Sequence, residues 1–204
     1  MAVEPTLAVV KTSARSSPAV VPLTGSEDTV LSTPTAESSS DDWVDFIGQA
    51  AETDAATLHT YIDTIPEAIF GQVLDGAIEN LAETDGDEAA KLAGIRILID
   101  SGGDPFATRT VELAAMNGYE DLVSYLVAVP EDDTNVGADR TEKMIDAITA
   151  VSKFLGETKD VEVFKRFYQI YRWLLCEIPS DDEFYFHIEA DVTAAMLALG
   201  LGIH

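Results

Sequence analysis

The sequence predicts an all-α chain, a short α-solenoid of stacked helix pairs preceded by a disordered or extended N-terminal arm. Three observations carry this. From Trp43 onward apolar residues recur at three- and four-residue spacing, the period of a helix with one buried face. No stretch alternates with the period of two, bounded by turn signals, that a strand needs. The second helices of successive pairs begin near Asp54, Asp87, Tyr119 and Asp160, roughly 32 residues apart for the first three and further for the last. Each helix carries one apolar stripe and cannot bury it alone, so the pairs must stack.

Residues 1–41 form the arm. They are rich in Ser, Thr, Pro, Ala and Val and contain no aromatic residue, and Pro5, Pro18, Pro22 and Pro34 interrupt every stretch long enough to nucleate a helix. Residues 42–178 are the helical-pair repeats. Ser40-Asp41-Asp42 places acidic side chains at a helix start, and Trp43, Phe46, Ile47, Ala50 and Ala51 give its apolar face. A break at Thr53-Asp54 leads to Leu58, Tyr61, Ile62 and Ile65, and Pro66 ends that helix. A third helix spans Glu67 to Ala82, with Ile69, Phe70, Val73, Leu74, Ala77, Ile78 and Leu81 inward. Glu88 opens a fourth through Asp100, with Leu92, Ile95, Leu98 and Ile99 on one face and Lys91, Arg96 and Asp100 off it. Gly102-Gly103 supplies a left-handed stop and Asp104-Pro105 forbids continuation. Two short helices then meet at Gly118. Arg140 to Leu155, stopped at Gly156, and Val161 to Ile178 follow, the second lined by Phe164, Phe167, Tyr168, Tyr171, Trp173, Leu174 and Leu175. Residues 179–204 are a capping helix, Phe184 to about Leu199, and a Gly200-Leu-Gly-Ile-His tail.

One segment carries a family pattern. Leu113-Ala-Ala-Met-Asn-Gly118-Tyr-Glu-Asp-Leu122-Val123-Ser-Tyr-Leu126 resembles the inner helix, Gly-His turn and outer helix of the ankyrin-repeat family, with Tyr119 where histidine is usual. Ile95-Arg-Ile-Leu-Ile-Asp-Ser-Gly102-Gly103-Asp104 is similar to that family's outer-helix end, with Gly103 in place of alanine. Ala50 to Ile62 is a weaker echo that lacks the turn glycine. The Thr-Pro-Leu-His start is replaced by Arg109-Thr110-Val111-Glu112, and about five residues of the projecting β-hairpin finger are missing between Asp104 and Leu113. The resemblance implies an ankyrin-like stack and a protein-binding inner-helix face, on which Glu112, Met116 and Asn117 are the candidate positions.

The balance of 37 acidic against 12 basic residues leaves a formal charge of −25. Phosphate binding needs clustered Lys and Arg, so nucleic acid and anionic membrane are not expected as direct partners. The charge instead fits a protein partner with a basic surface, cations, or life in high salt. No run approaches the ~18 apolar residues of a membrane span, so no membrane insertion is expected. Neither a signal peptide nor a transit peptide is expected, since the short Ala19–Leu23 run beside Glu4 and Pro22 fits one poorly. A single cysteine excludes an internal disulfide framework and points to an intracellular site (cytoplasmic or nuclear) or the interior of an assembled particle. Cys176 lies among Trp173, Leu174, Leu175 and Ile178 and reads as a buried structural thiol.

Catalytic, cofactor and metal signatures are absent from the pattern. Asp132-Asp133-Thr-Asn135-Val-Gly137 glances at a calcium loop, but Lys143 stands where a bidentate Glu belongs. His59, His187 and His204 lack ligand spacing. Trp173 falls off the stripe of Phe164, Phe167 and Tyr171 and is a candidate docking residue beside Lys165, Arg166 and Arg172. The expected function is therefore a non-catalytic protein–protein interaction module. It would serve as an adaptor or a structural component of a larger assembly (a virus particle or multi-subunit complex), anchored in part by its arm. The alternative is an acidic antagonist that occupies the basic surface of a nucleic-acid-binding protein.

Mutual repulsion of the excess carboxylates sums to several kcal/mol, comparable with a domain's margin of roughly 5–15. The melting temperature should accordingly rise between low and molar sodium chloride in a thermal scan; a flat response would refute the repulsion.

Overall fold

The computed structural model describes residues 33–35, 37–53, 55–129, 137–177 and 183–201, with the side chains of 137–139 and 183–188 outside the description. Most of the N-terminal arm, the Asp132–Gly137 calcium-loop echo, His204 and the side chain of His187 thus lie outside the described residues. Residues 31–204 form one compact unit.

The described residues contain helices and no strand: α1 (Ser40–Thr53), α2 (Leu58–Ile62), a 3₁₀ turn (Glu67–Ile69) leading into α3 (Phe70–Glu83), α4 (Glu88–Asp100), α5 (Thr110–Met116), α6 (Glu120–Ala128), α7 (Gly137–Glu157), α8 (Val161–Cys176) and α9 (Glu183–Ala198). Successive helices fold back as pairs, α1–α2, α3–α4, α5–α6 and α7–α8, and the pairs stack. One layer runs α1, α3, α5, α7, α9; the other runs α2, α4, α6, α8. Between the layers lies one continuous apolar core in which Leu58, Leu74, Ile78, Ile95, Leu98 and Leu122 are fully buried. Each such side chain contributes about 1.5–3 kcal/mol, so the core outweighs any single polar contact.

Local signals set the helix ends. Ser39 and Asp42 cap α1 reciprocally, the Asp42 amide donating to Ser39 Oγ (3.2 Å) and the Ser39 amide to Asp42 Oδ2 (3.0 Å). Asp160 accepts from the amides of Glu162 and Val163 at the start of α8. Gly102, Gly118 and Gly200 all have positive φ, and each closes its helix with the same paired bonds, Gly103 N–H to Leu98 O, Tyr119 N–H to Ala114 O and Leu201 N–H to Met196 O. Gly156 does not act this way. It lies inside α7, which continues to Glu157, because its φ stays helical and the chain simply runs on.

The second helices begin at Leu58, Glu88, Glu120 and Val161, close to the expected starts except for the first, which comes four residues later. The stacking of pairs is carried by polar bonds as well as apolar contact. Asn117 Nδ2 donates to Ala82 O (2.8 Å) and Glu83 O (3.0 Å), Tyr119 Oη donates to Thr84 O (2.7 Å), and the Leu122 amide donates to Glu88 Oε1 (3.1 Å). The third pair therefore grips the end of α3 and the start of α4. Arg140 donates to Val129 O and Val127 O, and Arg166 to Gly118 O, holding the fourth pair on the third.

Lys91 corrects the sequence reading. Expected off the apolar face, it is fully buried. Its Nζ meets Glu52 Oε1 of α1 at 2.6 Å, Thr84 Oγ1 at 2.6 Å and Leu81 O at 3.0 Å. The buried stripe of α4 is Lys91, Gly94, Ile95 and Leu98, while Leu92 and Ile99 are half-buried. The rotation follows from Gly94, whose missing side chain lets α4 approach α1 so closely that a Cβ there would stand 2.9 Å from Ala51 O. Cys176 is a second correction. It is exposed at the last residue of α8, where the core stripe of Phe164, Phe167, Tyr171 and Leu174 has already turned away.

Removing one member of a buried ion pair costs about 3–5 kcal/mol, and Glu52, about one-third exposed, retains some water. Lys91→Met should therefore cost about 3 kcal/mol in urea unfolding, near the lower end of that range, and adding Glu52→Gln should restore part of it. A loss below about 1 kcal/mol would refute the role given to Lys91.

Candidate protein-binding face

The solvent side of α3 is legible residue by residue. Gln72, Asp75, Gly76, Glu79, Asn80 and Glu83 recur at helical spacing opposite the buried Val73, Leu74, Ala77, Ile78 and Leu81. Gly76 lets Val44 of α1 lie flat against α3, since a Cβ at that position would sit 2.8 Å from Val44 Cγ2. Gln72 Nε2 to Ser40 Oγ (3.2 Å) and Asn80 Nδ2 to Asp45 Oδ1 (3.2 Å) fix the two helices side by side. Above their junction runs a groove of about 620 Å³. Asp41, Asp75, Glu79 and Glu83 line it, and Ala107 and Thr108 close its far wall. A second hollow of about 380 Å³, sharing Asn80, carries Asp45 and Glu52.

Asp75 is the most constrained carboxylate of the groove. Burial pushes its pKa up from 3.8; the Asp104 amide, donating to Oδ1 at 2.7 Å, opposes this, and the nearby Asp104 charge adds to it. Asp104 in turn accepts from the Phe106 amide at 2.8 Å, so the turn before α5 is built on this pair.

Cations near the face are already engaged. Arg109 binds Glu112 through two bonds, Nε to Oε2 at 2.9 Å and a terminal nitrogen to Oε1 at 2.7 Å. That guanidinium holds the Glu112 carboxyl below the usual range. Arg96 lies over the Tyr125 ring at 4.8 Å, and Lys91 is buried with Glu52. Residues 40–129 carry 18 carboxylates against these 3 cations, a net −15, whereas residues 137–177 carry 7 against 7, a net of zero. Among the helix pairs the charge is therefore segregated to the first three, while α9 adds Glu183, Glu189 and Asp191. An open groove of that sign can hold positively charged side chains.

The candidate positions fall as follows. Glu112 and Met116 are half-buried on α5 and do not line the groove, Met116 packing against the core. Asn117 caps α5 and spends its amide on the α3 carbonyls. Trp173 lies on α8 in the other layer, half-buried against the core, and is not brought together with the other three. Sequence reasoning missed Asp41, Asp75, Glu79 and Glu83, although the polar period of α3 was there to be read. His59 is exposed on α2. Among the described residues no group of His, Cys, Asp or Glu is placed to hold a metal, and no helix is long and apolar enough to cross a membrane.

Compared with protein-family models, curated proteins and solved structures, the chain matches none.

Asp75→Asn keeps the acceptor for the Asp104 amide and removes the charge. A raised folded-state pKa means the folded chain binds more protons than the unfolded one just above pH 3.8, so the Asp75 contribution to stability falls as pH rises through that window. The variant should be more stable than the parent at pH 7, with the gap closing towards pH 3.8 in paired thermal scans; an equal or lower melting temperature at pH 7 would count against it.

Proposed function

We propose that this chain is a non-catalytic protein-binding stack, ankyrin-like in its architecture, whose α1–α3–α5 face takes a partner with a basic surface. The observation that carries the reading is the segregation of charge, −15 on the first three pairs and zero on α7–α8, with a carboxylate-lined groove on the charged part. Solubility alone asks only for net charge spread over the surface. The ankyrin-like reading is supported by paired helices whose inter-pair bonds join residues 34 and 35 apart and by the positive-φ glycines at Gly102 and Gly118. In this role the protein serves as an adaptor or as a structural component of a larger assembly, a multi-subunit complex or particle, with residues 1–41 as a further anchor. Its place is intracellular or within that assembly.

The row Asp41, Asp75, Glu79, Glu83 also favours a second reading. A line of fixed carboxylates can substitute for phosphates on the basic surface of a nucleic-acid-binding protein, making the chain an acidic antagonist. Steep salt dependence of the complex, comparable with that of nucleic acid itself, distinguishes this from an adaptor contact.

Calorimetric titration with an arginine-rich peptide tests the face. Neutralising Asp41, Glu79 and Glu83 to their amides should weaken binding about tenfold or more, a loss of about 1.4 kcal/mol. Neutralising the exposed Glu142, Asp146 and Glu157 of α7 should change it less than about twofold. Equal losses would mean that bulk charge, not the groove, binds the peptide.

A further inference from the structure

Residues 40–129 hold three cations, and only one of them belongs to the layer that carries the groove. Lys91 and Arg96 lie on α4, in the other layer. Arg109 stands at the N-cap of α5, directly after Thr108 of the groove's far wall. A cation is disfavoured at a helix start, where the backbone dipole is positive and Ser, Thr, Asp or Asn usually caps. Helix chemistry within α5 therefore does not account for an arginine at this position.

Its surroundings do. Arg109 is 60% exposed and is held by Glu112, one turn on, through the two bonds of 2.9 and 2.7 Å. Those bonds and the Glu112 charge raise its pKa above the ordinary value, and Glu79 and Glu83, which both line the groove, add to the effect. The guanidinium thus has carboxylates on two sides, Glu112 on its own helix and the Glu79–Glu83 pair on α3. An exposed ion pair at i, i+3 is weak, so its partner can be exchanged. Glu112 also feels Lys143 of α7, so it keeps a cation nearby when Arg109 leaves.

We propose that Arg109 is the gate of the groove. It turns between Glu112, which holds it aside, and Glu79 and Glu83, where it takes the place of an incoming cationic side chain. This rests on the reading of the groove as a face for basic partners and adds what controls it. Glu112 is then a positioning residue, acting through Arg109 and not on the partner. An isolated lysine gains little over the arginine already present, whereas a segment with several arginines outcompetes it. The gate therefore selects multiply charged segments.

A double-mutant cycle, read by calorimetric titration of the full chain with the arginine-rich peptide at low salt, tests the gate. Arg109→Gln should tighten binding about threefold, and Glu112→Gln should weaken it about threefold because the released arginine turns onto Glu79 and Glu83. The double variant decides, since its net charge equals that of the parent. A gate makes it bind like Arg109→Gln alone, for without the arginine Glu112 has nothing to hold; bulk charge makes it bind like the parent. Arg109→Lys, which keeps the charge, should stay within about twofold of the parent. Lys165→Gln and Glu162→Gln on α8, the same i, i+3 pair in the other layer, should each change binding less than about twofold. Melting temperatures check folding, and the exposed Arg109 and Lys165 arms stand even where Glu112→Gln fails to fold. A double variant of parental affinity overturns the gate, and so does equal tightening by Arg109→Gln and Lys165→Gln. If neutralising Asp41, Glu79 and Glu83 weakens binding while Arg109→Gln binds like the parent, only the gate falls. If that triple binds like the parent, the groove reading falls and the gate with it.

Discussion

A buried ammonium group constrains how the first two pairs fit together on the apolar core. Lys91 is fully buried with three oxygens in reach, one from α1, one from the end of α3 and one from the turn that leads into α4. An unpaired charge in that position would cost several kcal/mol, so the three oxygens must stay where they are. The same turn is bound from the other side by Asn117, Tyr119 and, through Glu88, the Leu122 amide. Three successive pairs thus converge on residues 81–91. Their relative positions follow from satisfying one cation and a handful of carbonyls. The tyrosine at 119, in the place where the resemblance would put histidine, has the length to reach Thr84 O.

The same economy explains the surface. A chain with few cations engages them within its own fold: Lys91 with Glu52 in the core, Arg109 with Glu112 at the surface, Arg140 and Arg166 with the backbone of the third pair. Asp41, Asp75, Glu79 and Glu83 stand outside these pairs, and close packing at Gly76 and Val44 arranges them along one groove. Acidity is then a property of a place and not only of the composition. The balanced fourth pair forms the counterpart.

Much of the architecture was legible before any coordinates. The bounds of α4, the helix starts near Asp87 and Asp160, the left-handed stop at Gly102, the break at Gly118 and the apolar faces of α1, α3 and α8 follow from local chemistry: capping oxygens, positive φ and a period of 3.6. Gly156 misled because a glycine ends a helix only where its φ turns positive, and nothing local forces that. Cys176 misled because a run of apolar letters does not say where a helix face has rotated out of the core.

The candidate face was harder to see for a related reason. Glu112 and Met116 lie on α5 and Asn117 caps it, and Asn117 is engaged in stacking, which depends on carbonyls of residues 82 and 83. Asp75 and Asp41 acquire meaning only when α1 and α3 lie side by side. What the sequence by itself determined is the all-α class, the pairing of helices, their stops and the excess of negative charge, because each depends on residues within a few turns of one another. Only the tertiary structure decided that Lys91 is buried, which carboxylates share a groove, and that Arg109 stands near two of them. Those depend on how closely two helices distant in sequence approach, which is set by glycines such as Gly76 and Gly94 only once their partners Val44 and Ala51 are in place.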